Sequence, residues 1–160
     1  MTTNRSTIPN TQTFYKTISI IHLALIAGQI LFGITAFFIV NSTNIVMNPP
    51  DDIFFYLVPL LAFTGIIAGS YLFKQKLNGL ANVITLKEKL AIWQTAVIIR
   101  FAMAEGPSLL GIAAYLNTGN LFYLFISGLI ILYFIWIAPK KQNITDELDL
   151  SYEEKIEMGF

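Results

Sequence analysis

The chain has 160 residues, 55% hydrophobic and 12% charged, with a mean hydropathy of +0.64, too apolar for an ordinary soluble domain. Ten basic and ten acidic residues leave no net charge and no basic stripe, which argues against a nucleic-acid partner. With no cysteine, disulfides, thiolate zinc sites, CxxC redox motifs and cysteine nucleophiles are excluded.

In chain order, residues 1–13 are polar and precede a long apolar span without a small-residue cleavage site, so they read as an uncleaved start. Four apolar stretches follow, at 14–40, 54–73, 90–116 and 121–138. A bilayer-crossing helix needs roughly 17–25 residues, and each stretch meets that length. Only Lys16, His22, Arg100 and Glu105 interrupt them with ionisable groups. The expected fold is all-α: a single integral membrane domain, built as a four-helix bundle, with no room for a separate soluble domain.

Lysine and arginine set the expected orientation. Segments 41–52 and 117–120 carry neither residue. The central loop carries Lys74, Lys76, Lys87 and Lys89; the flanks carry Arg5 and Lys16, and Lys140, Lys141 and Lys155. Both termini and the central loop of this multi-pass protein are therefore expected on the cytoplasmic side. Tyr15, Tyr71, Trp93 and Trp136 fall near that boundary and Phe54, Tyr56, Tyr115 and Tyr123 near the other, as headgroup-level aromatics do.

Segment 16–38 aligns without gaps to segment 94–116, 78 positions later. Nine positions are identical, among them Thr17/Thr95, Ile20/Ile98, Ala24/Ala102, Gly28/Gly106 and Leu31/Leu109. Chance would give about two or three in so apolar a composition, which points to an internal duplication. FFYL at 54–57 is echoed by LFYL at 121–124, so each repeat (about 14–76 and 90–142) reads as helix, outer loop, helix. Two parallel-repeated transmembrane hairpins follow. The identities share one helical face, and Ala24-x-x-x-Gly28 and Ala102-x-x-x-Gly106 are small-xxx-small patterns. The first and third helices are expected to cross through those residues.

Glu105 lies about 21 Å along the third helix from its start, deep in the hydrocarbon. An ionised carboxylate there costs about 2.5–3.5 kcal/mol on insertion scales, so it must be protonated, paired or facing internal water. Two readings stay open. Glu105, with Ser108 one turn on, binds a proton or cation reversibly, or it is a protonated acid hydrogen-bonded to Tyr133, Ser127 or Thr64. Pro107 is expected to kink this helix. Arg100 is expected to snorkel to phosphates, or else to meet a carboxylate from another subunit or a bound anionic ligand. His22 occupies the equivalent position in the first repeat and shares a face with Gln29, and both join Arg100 as candidate lipid or ligand contacts. One histidine cannot supply both axial ligands of a b-type haem, so His22 reads as a hydrogen-bonded structural residue and no cofactor is expected.

In the central loop, Leu77, Leu80, Ala81 and Ile84 have helical spacing between lysines, as an interfacial helix would. The tail, 143–160, sets six acids against Lys155, and Ser151-x-x-Glu154 can cap a short helix. The tail is expected to be solvated and mobile, or to dock on a partner.

Gln94-Thr95, Ile98-Ile99, Ala102, Ala104-Glu105, Gly111 and Ala113-Ala114 resemble the outer helix of the proteolipid c subunit of rotary ATP synthases. The resemblance covers one helix of four and implies that Glu105 is the ion-binding carboxylate. Read from the residues alone, the chain is a non-enzymatic membrane protein that acts through packing, homo-oligomerisation or a membrane partner. The alternative is a proton- or ion-coupled translocator using Glu105. No nucleophile–base pair, metal cluster or phosphate loop points to an enzyme.

Overall fold

The computed structural model describes residues 11–41, 43–47, 51–83 and 85–157. Its order is α1 (Thr11–Val40), α2 (Phe54–Asn78), a 3-10 turn (Gly79–Asn82), α3 (Leu86–Thr118), α4 (Leu121–Trp136), α5 (Lys141–Glu147) and α6 (Tyr152–Glu157). The described chain is all-helical, and α1, α2 and α3 are each long and apolar enough to cross a membrane. The fourth apolar helix ends at Trp136, after 16 residues, and so rises about 24 Å.

Local chemistry sets these boundaries. Thr85 opens α3 as an N-cap, its Oγ accepting from the Glu88 amide while its hydroxyl donates to the Glu88 carboxylate at 2.8 Å. Gly119 closes α3 at φ 68°, the left-handed conformation glycine adopts without strain. Asn120 then caps α4 and ties the 43–47 segment to it, accepting from the Val46 amide and donating to the Val46 carbonyl. The lysine-rich connection differs from the expected interfacial helix. Helix α2 runs through Lys74 and Lys76 to Asn78, and one short turn completes the link. Leu77 and Leu80 pack on the core there, while Ile84 and the side chain of Ala81 lie outside the described residues.

α3 is central. It packs along α2, α4 and α1, and it buries 39% of its most apolar stretch against 17% and 11% for α1 and α2. The two expected hairpins are not packed alike: α4 lies along α3, whereas α1 scarcely touches α2 because α3 fills the space between them. The expected crossing of α1 and α3 through their alanine–glycine faces is also overturned. Ala24, Gly28, Ala102 and Gly106 point outward, and a Cβ on Gly28 or Gly106 would meet nothing within 4 Å.

The close helix approach uses other glycines. A Cβ on Gly65 would sit 2.5 Å from the Met103 carbonyl oxygen, and one on Gly69 3.1 Å from the Met103 Cβ. Gly65-x-x-x-Gly69 is thus the working small-xxx-small face, letting α2 lie against the α3 backbone. Gly111 does the same for α4, since a Cβ there would collide with the Ser127 hydroxyl.

Several polar side chains are buried among the apolar core while large apolar ones face outward. His22, Gln29, Ser108 and Ser127 are buried, whereas Leu31, Phe38, Phe63, Phe125 and Leu132 are exposed. An aqueous surface selects against that arrangement and a hydrocarbon surround selects for it. Outward threonines satisfy themselves: Thr35, Thr64, Thr95 and Thr118 each donate to the carbonyl four residues back at 2.8–2.9 Å. Replacing Gly65 with Ala should cost about 1–3 kcal/mol of stability, because the added methyl meets backbone that cannot yield. Gly106→Ala should leave the thermal midpoint in detergent unchanged, and the pair of melting curves checks both.

Candidate functional site

Two apolar clusters lie along the helix axes. One surrounds Trp93, Phe101 and Phe134, the other Ile112, Tyr115 and Tyr123. Between them Gln29, Ser108 and Ser127 form a polar waist. Ser127 donates to the Ser108 carbonyl at 2.9 Å, and Gln29 Nε2 reaches the Leu25 carbonyl at 3.3 Å. Gln29 Oε1 and Ser108 Oγ are buried and have no partner. Beside the waist an outward-opening apolar groove of about 330 Å³ is bounded by Gln29, Gly33, Phe37, Leu124 and Gly128.

Glu105 is half-buried on α3, one turn before Ser108, and no described residue hydrogen-bonds or pairs with it. The three partners expected for it are engaged elsewhere. Tyr133 meets Ser70 and Arg100, Ser127 meets the Ser108 carbonyl, and Thr64 bonds within α2. Pro107 sits inside a helix that continues through it and packs towards Gly65.

His22 has a clear structural task. The last carbonyls of a helix lack an internal donor, and in α4 the Ala138 amide turns to Ile135 instead of Phe134. His22 Nε2 donates to that Phe134 carbonyl at 2.8 Å, and its ring stacks on Phe134 at 5.0 Å and 7°. The imidazole is an end-cap delivered from a neighbouring helix.

Arg100 turns inward. Its guanidinium lies 5.1 Å from the Phe73 ring centroid, Nη2 is 3.5 Å from the Tyr133 hydroxyl, and Nε is buried without a partner. It lines a cavity of about 200 Å³ at the basal end, between the first half of α3 and the last turn of α4. Trp93, Trp136, Lys140, Asn143 and Glu147 line the same cavity.

Sequence reasoning missed this basal site because it rests on the tail. The tail folds back: Ile144, Leu148 and Leu150 are 0%, 2% and 5% exposed and join the Trp93 cluster. Trp93 Nε1 donates to Glu147 at 2.6 Å, and Lys89 holds Glu154 at 2.8 and 3.0 Å. Ser151 and Glu154 cap α6 reciprocally. The visible signal was the Ile144/Leu148 spacing, four apart, within the acidic run. Among the described residues, no three of His, Asp and Glu gather as a metal site would require.

No protein-family model matches this chain, and no curated protein or solved structure matches it either. The proteolipid resemblance therefore rests on the residues of α3 alone.

The two tail carboxylates titrate in opposite directions. Burial pushes Glu147 above the ordinary value of 4.5, more than Trp93 and Arg100 pull it down. Burial also works against ionised Glu154, but Lys89 and Ser151 outweigh it and hold that carboxylate below 4.5. A raised pKa means that the docked tail binds the Glu147 proton more tightly than the free tail, so docking gains as pH falls from neutral towards 4.5. The lowered pKa of Glu154 means that docking is lost as pH falls further. Trp93 emission, read in a Trp136→Phe background, should thus show tightest docking in mild acid. Glu147→Gln should flatten the upper limb alone.

Proposed function

We propose that this chain is a four-span integral membrane protein, two duplicated hairpins with both termini cytoplasmic, that works by self-association in the bilayer and not by catalysis. One observation carries the reading: the Ala24/Gly28 and Ala102/Gly106 faces, alike in sequence, lie on the outside with open space over both glycines. Small outward faces let a second backbone approach closely, and in lipid that close packing drives association. Because the two faces repeat the same residues at the same spacing, a copy of this chain is the partner that fits them. Lysines confined to the basal loops and flanks support the orientation.

Gly28→Leu combined with Gly106→Leu covers both faces at positions where an added Cβ meets nothing within 4 Å. Energy transfer between labelled copies in bilayers should report association for the parent chain and a loss of about tenfold or more for the double variant. Monomers at every density tested would sink the proposal.

A second reading has its own support. Glu105 lacks a partner, and the buried Gln29 Oε1 and Ser108 Oγ nearby along the helices lack partners too, as a site for a proton, water or small cation would. It is also the position the proteolipid resemblance implies. Proton uptake into reconstituted vesicles tests it: translocation through Glu105 requires a flux that Glu105→Gln abolishes, and equal flux from both proteins removes it.

A further inference from the structure

The basal cavity sets unlike charges against each other without letting them meet. Arg100 and Lys140 supply cations, and Glu147 supplies the anion. Arg100 feels the Glu147 charge, yet no ion pair within 4 Å joins them. Their hydrogen-bonding capacity is unspent. Arg100 Nε has no acceptor, its Nη2 has only the long contact to Tyr133, and Glu147 uses one oxygen on Trp93. A guanidinium presents five donors and no acceptor, and a carboxylate only acceptors, so water fills such a gap less well than a ligand carrying both charges. Phe73, Phe101, Trp93 and Trp136 form aromatic walls, which favour a cation near their faces.

We propose that this cavity binds a phosphoethanolamine group, its phosphate on Arg100 and Lys140 and its primary ammonium on Glu147. The group comes from a phosphatidylethanolamine molecule of the adjoining leaflet. The cavity lies at the C-terminal end of α4, beside Tyr15, Tyr133 and the three-quarters-exposed Trp136, aromatic side chains of the kind that favour headgroup depth. Its volume of about 200 Å³ suits a headgroup of this size. The ammonium accounts for the preference: it donates hydrogen bonds to Glu147, which a trimethylammonium cannot do. This site is separate from the outward glycine faces, so it stands or falls independently of self-association.

Both tryptophans of the chain line the cavity, so intrinsic fluorescence reads it directly. The full chain is placed in phosphatidylcholine nanodiscs and titrated with phosphatidylethanolamine or, in parallel, phosphatidylglycerol. Native mass spectrometry counts the retained lipid. Phosphatidylethanolamine should give a saturable emission change and one retained molecule, and the other two lipids should bind at least about tenfold more weakly. Arg100→Gln and the surface change Lys140→Gln should both weaken binding, whereas Glu147→Gln should erase the preference over phosphatidylcholine. If soluble phosphoethanolamine gives the same emission change, the chemistry holds and the group comes from solution. Equal binding of all three lipids, phosphatidylglycerol binding as tightly as phosphatidylethanolamine, or an unaltered preference in Glu147→Gln would overturn the proposal.

Discussion

A helix that would cross a bilayer gains nothing from leaving water when it meets its neighbour, so contact distance decides which helices stay together. In this chain the decisive contact is between α2 and α3. Gly65 and Gly69 remove the side chains that would hold α2 away from the carbonyl and Cβ of Met103 and the backbone of Arg100. With α2 seated there, α3 occupies the centre, and α1 and α4 find places on its remaining sides. The inward turn of Arg100 follows from the same seating, because the Phe73 ring beneath its guanidinium belongs to α2.

Polar groups then divide by how they are satisfied. His22 is fully used as the cap of α4, and Ser127 as a strut between α3 and α4. Gln29, Ser108 and Glu105 keep unused capacity in the middle of the molecule, and Arg100 and Glu147 keep it at the basal end. Unused capacity costs free energy in a low-dielectric surround, so those two levels are where ligands, ions or water have most to gain.

The long helices were legible because apolar length and turn chemistry are local properties. The first span is apolar over Phe14–Val40 as read, and Gly119, Asn120 and Thr85 mark ends that their side chains and backbone angles require. The packing faces were not legible. Ala24/Gly28 and Gly65/Gly69 are the same kind of signal, and nothing local to either pair distinguishes the one that meets a backbone. The fold-back of the tail was hidden for a different reason. Its acids dominate the composition, yet three aliphatic side chains, one carboxylate–indole bond and the Lys89–Glu154 ion pair decide where it goes. Arg100 could not be read correctly without that fold-back, since Glu147 is 47 positions away and on an element whose docking no local pattern announces.

The self-bonded threonines carry a consequence for how such a sequence can drift. A hydroxyl that takes its own helix's carbonyl along with it asks nothing of the medium, so Thr35, Thr64 and Thr95 are, to surrounding acyl chains, nearly valines. Exchange between the two residues on these outer surfaces should be almost silent. Hydropathy counted from composition therefore understates how oily this exterior is to the lipid that would touch it.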